Sequence, residues 1–144
     1  MRFFMAIIKK KKDGFTLIEL LVVVLILGLL AGLVGPRMFG QLGKAKLQAA
    51  KAQIALFGTA LDAFRLDIGR YPTTAEGLKA LRQKVGSRGG WGGPYLPKAI
   101  PKDPWGRDYI YRCPGTHGDY DLISYGSDGV QGGEGDEADS ASWE

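Results

Sequence analysis

A cluster of carboxylates near the C-terminus carries the chemistry for which this chain is best supplied. Five acidic residues fall within a glycine-rich segment, at positions 128, 134, 136, 137 and 139. Calcium takes about six to eight oxygen ligands in flexible geometry, so Asp128, Asp136 and Asp139 would bind it if the loop folded back. The alternative is a disordered acidic tail, because like charges repel and glycine loses much entropy on ordering.

Other reactive side chains are few. Cys113 is the one cysteine and His117 the one histidine, so the chain has no intramolecular disulfide and a poor ligand set for zinc. The acidic residues lack the spacing of an EF-hand loop. No P-loop, G-x-S-x-G, H-E-x-x-H or C-x-x-C pattern occurs. We therefore expect no enzymatic activity.

The net charge is unevenly distributed along the 144 residues. The total is +4, from 19 basic and 15 acidic side chains, and the whole of it lies in residues 1–14. All other basic residues lie between Arg37 and Arg112, whereas residues 113–144 contain eight acids and no Lys or Arg. A pI of 9.2 alone would favour a nucleic-acid partner, but a basic leader explains the charge, so no such partner is expected.

Residues 15–34 form an apolar segment long enough to cross a membrane. Twenty residues of helix rise about 30 Å, the thickness of the hydrocarbon core. A cleaved secretory signal is the alternative, but its apolar part is usually shorter and ends at a small-residue cleavage site, which is missing here. Because the lysines at positions 9–12 precede the segment, we expect a cytoplasmic N-terminus and a C-terminal part across the membrane.

Glu19 is the one carboxylate in this apolar segment. A carboxylate costs roughly 2.5–3.5 kcal/mol at the centre of a membrane helix and less near its end. Glu19 therefore either lies at the level of the lipid headgroups or pairs with a positive group.

An amphipathic helix is predicted beyond the apolar segment. Its apolar positions recur at spacings of three and four, and they are Leu47, Ala50, Ile54, Phe57, Leu61, Phe64 and Ile68. Pro36 either ends the first helix at the membrane interface or leaves a soft joint in one continuous helix. A continuous helix would be too long for a small domain to cover, so its N-terminal half must be buried in lipid and later against other copies of the chain.

The remaining chain predicts a short helix and a small antiparallel sheet. Thr73 and Glu76 have the spacing of a capping box, which predicts a short helix to about Gln83. Residues 108–111 and 120–124 are prone to form strands and flank a Pro-Gly turn, so they predict two antiparallel strands on the amphipathic helix.

The junction of the leader and the apolar segment resembles the cleavage site of type IV prepilins and pseudopilins. Residues 13–19 read Asp-Gly-Phe-Thr-Leu-Ile-Glu, after a basic leader and before an unbroken apolar run. The resemblance implies that the prepilin peptidase cuts between Gly14 and Phe15 and that the new N-terminal Phe15 is methylated. It also implies a role for Glu19 in assembly, through pairing with the N-terminal amine of an adjacent subunit.

Three further motifs are similar to those of the major pseudopilins of type II secretion systems. They are GRYPTT at residues 69–74, GGPYL at 92–96 and IPKDPWG at 100–106. Type IVa pilins commonly close their C-terminal loop with two cysteines, which this chain does not have.

The C-terminal residues resemble the calcium loop of the pseudopilins. The matching positions are Ser-x-Gly-x-Asp-Gly at residues 124–129, two glycines at 132–133, Ala-Asp at 138–139, and Trp143. Residues 140–142 depart from the commoner Ile-Gly-Asn. The ligands implied are the carboxylates of Asp128, Asp136 and Asp139 and the carbonyls of Tyr125 and Val130. A bound calcium ion would close the loop on the sheet in place of a disulfide.

The resemblance implies an α+β chain with the type IV pilin-like fold. A long N-terminal helix, transmembrane and then amphipathic, would pack on a small antiparallel β-sheet with a calcium-bound C-terminal loop. The chain would comprise a cleaved basic leader (1–14), a transmembrane assembly helix (15–35) and a periplasmic domain (36–144).

The implied function is that of a structural subunit in the inner membrane. It would form a homopolymer, the periplasmic pseudopilus, that helps to export folded proteins across the outer membrane. Its partners would be minor pseudopilins, the inner-membrane assembly platform and the prepilin peptidase. The alternatives are a major type IV pilin of a surface fibre, and a membrane-anchored enzyme or calcium-dependent binding module whose helix is a plain anchor.

Overall fold

The structure, a computed structural model, describes residues 14–87 and 89–144. The predicted leader lies outside these residues except for Gly14. The chain divides into two units, Met1–Met38 and Phe39–Glu144. Its elements in chain order are α1 (Leu17–Ile68), a first 3₁₀ helix (Leu78–Leu81), β1 (Ile110–Arg112), β2 (Asp121–Ser124), a second 3₁₀ helix (Gly135–Glu137) and β3 (Ser140–Ala141).

The helix α1 contains Pro36, so the proline does not end it. The predicted apolar stripe forms the helical side of the core in the second unit. Its fully buried members are Ala50, Ile54, Phe57, Leu61 and Phe64. Leu47 and Ile68, at the two ends of the stripe, are half-buried. The ring of Phe57 meets that of Tyr109 edge-on at 5.1 Å, so aromatic side chains from the helix and from the sheet side share one core.

The sheet has three antiparallel strands in the order β1-β2-β3. Ile110 pairs with Ile123, and Ile123 pairs in turn with Ala141. The two predicted strands are confirmed, with β1 beginning two residues later than expected. β3 was not predicted, because two residues of Ser and Ala carry no periodic signal. All four residues of β2, the central strand, are buried.

The predicted short helix to Gln83 is wrong, although its capping box forms. The backbone N–H of Thr73 donates to the Glu76 carboxylate at 2.9 Å, and the Glu76 N–H donates to the Thr73 hydroxyl at 3.2 Å. Gly77 then has φ of +61°, a left-handed conformation that ends the turn. The chain resumes as the first 3₁₀ helix, which stops at Leu81.

Candidate assembly site and metal centre

The first unit presents an exposed apolar helix. The large apolar side chains of residues 15–34 keep between 45 and 89% of their surface exposed. The described chain has one helix, α1, that is long and apolar enough to cross a membrane. An apolar surface of this size requires lipid or protein to cover it, because its exposure to water is unfavourable.

The predicted cleavage bond is accessible. Gly14 and Phe15 are both exposed and precede the first residue of α1, Leu17. No atom of the described chain beyond its immediate neighbours lies within 4 Å of the position that a Cβ would take on Gly14. The Gly14–Phe15 bond therefore lies outside regular helix.

Glu19 has a local partner that the sequence interpretation missed. Its Oε2 accepts hydrogen bonds from the backbone N–H of Thr16 at 3.0 Å and from the Thr16 hydroxyl at 2.9 Å. The Glu19 N–H returns a bond to the Thr16 hydroxyl at 3.3 Å. This is a capping box, and the Thr-x-x-Glu spacing at the start of an apolar run was the signal that could have revealed it. Glu19 thus stabilises the start of α1 in addition to its predicted role in assembly.

The acidic C-terminal loop contains a buried carboxylate oxygen with no partner. Asp139 Oδ2 accepts from the backbone N–H of Gly132 at 2.8 Å. Its Oδ1 is buried and accepts no hydrogen bond from any residue that the structure describes. Asp128 Oδ1 accepts from the N–H of Val130 at 3.1 Å, and the carbonyl of Tyr125 accepts from the N–H of Gly129 at 3.1 Å. An unpaired buried carboxylate oxygen is costly unless a proton or cation meets it.

The carboxylate of Asp136 faces the helix α1, although its backbone carbonyl accepts from the N–H of Ser127 at 3.1 Å. Asp136 belongs to the second 3₁₀ helix, and its carboxylate is placed against Gly43 of α1, in the space that a side chain there would fill. Within residues 14–87 and 89–144, no group of three His, Cys, Asp or Glu side chains could hold a metal ion. The convergence of Asp128, Asp136 and Asp139 that the sequence predicted is therefore not formed.

Arg107 ties the start of this loop to the domain, and no sequence pattern indicated this contact. Its guanidinium donates to the carbonyl of Gly126 at 2.8 Å and to that of Ser127 at 3.1 Å. The buried carboxylate of Asp103 accepts from the Arg107 backbone N–H at 2.8 Å and from the Ser124 hydroxyl at 2.8 Å. Asp103 and Arg107 thus connect the end of β2 to the acidic loop.

Asp121 is a second buried carboxylate that was missed. Its side chain is wholly buried at the start of β2 and accepts from the Thr116 N–H at 2.8 Å, the Thr116 hydroxyl at 2.7 Å and the His117 N–H at 3.1 Å. Burial alone raises the pKa of the Asp121 carboxyl, but the hydrogen bonds from Thr116 and His117 outweigh it and lower this pKa to about 2. The His117 ring stacks on Trp143 at 3.7 Å, so this carboxylate organises the loop on which the C-terminus rests.

Known proteins match this chain over nearly its whole length. The family model described as "Type II secretion system (T2SS), protein G" matches residues 37–143, and that of the prokaryotic N-terminal methylation motif matches residues 9–35. Type II secretion system core protein G of Pseudomonas aeruginosa is 42% identical over 139 residues, covering 94% of this chain and 98% of the relative. The protein of the same name from Vibrio cholerae is 46% identical over 137 residues, covering 93% of each.

A solved structure agrees with these relatives. The crystal structure of the major pseudopilin from the type 2 secretion system of enterohaemorrhagic Escherichia coli matches with a TM-score of 0.61 and 36% identity. The match covers 75% of this chain and 95% of that one.

An apolar N-terminal helix with a methylation motif, followed by a small domain of helix and antiparallel sheet, is the architecture of a type IV pilin-like protein, and the solved structure that matches it is a pseudopilin. The chain belongs to the type II secretion system protein G family. The resemblance drawn from the sequence is confirmed, and the surface-fibre pilin is not favoured.

Proposed function

We propose that this chain polymerises into the periplasmic pseudopilus of a type II secretion system and so helps to export folded proteins across the outer membrane. It acts as a structural subunit and catalyses no reaction. The exposed apolar helix segment that lies within the N-terminal methylation motif carries the proposal. Cleavage after Gly14 would remove the leader charge, retain the anchor, and leave a new amine close to Glu19.

The proposed location is the inner membrane, with one crossing and the second unit in the periplasm. The basic leader supports this orientation, since positive residues tend to stay on the cytoplasmic side. The proposed partners are further copies of this chain, minor pseudopilins, the inner-membrane assembly platform and the prepilin peptidase. The accessible Gly14–Phe15 bond supports the last of these.

The mature protein extracted from membranes is expected to lack residues 1–14 and to carry one added methyl group on Phe15. Intact-mass spectrometry measures both changes at once. Gly14→Val is expected to retain the leader, because a branched side chain at the scissile carbonyl obstructs a site that accepts glycine. Gly28→Val in the same apolar segment, where the structure leaves open space, is the matched control and should be cleaved normally.

A full-length, unmethylated mass for the unsubstituted chain would contradict this proposal and favour a plain membrane anchor. Electron microscopy of cells that overproduce the chain tests whether the processed protein polymerises into filaments. Correct processing without filaments would restrict the function to a membrane protein that does not polymerise.

We also propose that the acidic loop binds calcium through the carboxylates of Asp128 and Asp139 and the carbonyls of Tyr125 and Val130. The unpaired, buried Oδ1 of Asp139 supports this choice, because a divalent cation would compensate its burial. Hard oxygen donors from carboxylates and carbonyls suit calcium better than zinc. Asp136, which lies against Gly43, is left out of this set. The ion would neutralise two charges of the loop and hold it on the sheet.

Removal of calcium is expected to lower the melting temperature of the mature protein. A ligand present at about a hundred times its dissociation constant stabilises by roughly 2.7 kcal/mol, which is several degrees for a domain of this size. Thermal unfolding with excess chelator and with added calcium measures the shift.

Asp139→Asn should remove most of this calcium-dependent shift. Glu134→Gln removes a charge from the same loop without touching a proposed ligand and should keep it. An equal melting temperature with chelator and with calcium would exclude the metal site while leaving the secretion function untouched.

A further inference from the structure

A groove in the second unit has an apolar floor and an exposed mouth. It has a volume of about 490 Å³ and lies between α1 and the chain at residues 95–101. Its apolar lining comes from Leu56, Ala60 and Ala63 on the helix and from Leu96, Pro97 and Pro101 on the loop. Leu56 is 59% exposed at this groove.

The loop side of this groove is basic. Residues 79–102 contain six Lys or Arg and no acid. Lys98 lines the groove, is exposed, and forms no ion pair within the described part of the chain. Arg82 donates to the carbonyl of Leu96 at 2.6 Å and so fixes a second positive charge near the groove. An apolar group flanked by acids would complement both features.

The acidic C-terminal loop presents such a group. Val130 is 62% exposed and lies in a segment, residues 128–139, that holds five acids and no Lys or Arg. None of these five carboxylates is in an ion pair with a residue that the structure describes. Glu134, Asp136 and Glu137, which are exposed and outside the proposed calcium ligand set, therefore offer a negative surface in the same loop as the exposed side chain of Val130.

Within one chain, the second 3₁₀ helix of the acidic loop lies against a different part of α1 from the groove. Asp136 holds the loop against Gly43 of α1, which is 13 residues before Leu56 in the sequence. At about 1.5 Å and 100° per residue, the two positions are about 20 Å apart along the helix and on nearly opposite faces. A second copy of the chain can bring the whole of its acidic loop to this groove.

We propose that the groove receives the acidic loop of a second copy, with Val130 in the apolar floor and Lys98 facing the carboxylates. The inference rests on the proposed polymerisation and names the surfaces that join neighbouring second units. Two different surfaces of one chain make a head-to-tail contact, which repeats into an open helix rather than closing into a dimer.

Cysteine cross-linking in filaments of the full, processed chain tests this contact. Cys113 is first replaced by Ser, and Val130→Cys is combined with Ala99→Cys, which lies at the exposed groove rim. After an added oxidant, a ladder of disulfide-linked dimers, trimers and higher species is expected. Val130→Cys with Val85→Cys is the matched control, because Val85 is exposed in the same basic segment but outside the groove lining, and it should give no ladder.

An exchange of charges tests the proposed attraction between Lys98 and the carboxylates of the acidic loop. Lys98→Glu should lower the yield of the ladder about tenfold, since like charges would then face each other. Adding Glu134→Lys, which is not a proposed calcium ligand, should restore most of the yield.

Three other outcomes overturn the contact. Filaments without a ladder, an equal ladder from the Val85 control, or a disulfide to a different protein would each exclude it and leave polymerisation standing. If the chain with Cys113→Ser forms no filaments although the unsubstituted chain does, the cross-linking is carried out with Cys113→Ala instead. If the unsubstituted chain forms no filaments, both the proposed function and this inference are excluded.

Discussion

Replacement of Glu19 by alanine is expected to abolish filament formation while the chain still inserts into the membrane. Insertion becomes easier, because a carboxylate leaves the apolar segment. Assembly becomes harder, because the amine of Phe15 in a neighbouring copy would be left without its partner in apolar surroundings. Breaking a desolvated pair in this way costs about 3–5 kcal/mol, which is more than about a hundredfold in association. Sedimentation and electron microscopy of filaments measure the loss.

Two further variants separate the charge of Glu19 from its capping role. Glu19→Gln keeps a side-chain acceptor for the Thr16 N–H, since glutamine also serves in a capping box, but removes the charge. Thr16→Ala keeps the charge and removes the Thr16 hydroxyl that donates to Glu19, at a cost of about 1 kcal/mol. If the ion pair drives assembly, Glu19→Gln should fail as completely as Glu19→Ala, while Thr16→Ala assembles.

The opposite ranking would overturn the assembly role. Normal filaments from Glu19→Gln together with poor filaments from Thr16→Ala would mean that Glu19 serves only to start α1. Membrane fractionation of each variant confirms that the protein is inserted before assembly is scored.

Replacement of Asp121 by alanine is expected to destabilise the mature protein by about 3 kcal/mol or more. Two backbone N–H groups and the Thr116 hydroxyl would lose the same buried acceptor, and each unmade bond to a charged group costs about 1.5–3 kcal/mol. The loop that carries His117 would loosen, and with it the stacking of Trp143. Thermal unfolding of the detergent-extracted protein and the fluorescence of the tryptophans report the two effects.

Asp121→Asn is the matched variant, because it keeps the shape and one acceptor oxygen but not the charge. It should lose less stability than Asp121→Ala. Since the folded pKa of about 2 lies below the ordinary 3.8, the ionised carboxylate stabilises the fold fully above about pH 4, and this stabilisation disappears as the pH falls through 2.

The stability difference between the unsubstituted protein and Asp121→Asn should therefore be constant above about pH 4 and shrink as the pH falls towards 2. Taking the difference cancels the titration of the other carboxylates. A difference that stays the same down to pH 2 would mean that the charge of Asp121 contributes nothing.

The structural features that depend on residues three or four apart in the sequence were predictable. The spacing from Ala50 to Phe64 predicted the buried face of α1, because a helix of 3.6 residues per turn brings positions three and four apart to one side. The capping box at Thr73 and Glu76 was predicted for the same local reason. The helix expected after it was not formed, because Gly77 takes a left-handed conformation that neither residue of the box controls.

The candidate metal site was predictable only in part. The sequence places Asp128 and Asp139 in one glycine-rich loop, and the structure leaves a buried oxygen of Asp139 unpaired there. Asp136 was misplaced, because nothing in the loop indicates that Gly43, ninety-three residues earlier, leaves room for its carboxylate.

By itself the sequence determined the apolar segment, the N-terminal methylation motif, the amphipathic helix and the family, all of which depend on composition and on short-range spacing. Only the tertiary structure decided the partners of the buried carboxylates, the third strand and the separation of the acidic loop from the basic groove. Those contacts join residues such as Asp103 and Ser124, or Gly43 and Asp136, that are far apart in the chain. Their pairing depends on how the whole core packs, and single residues at large separation leave no periodic signal of it.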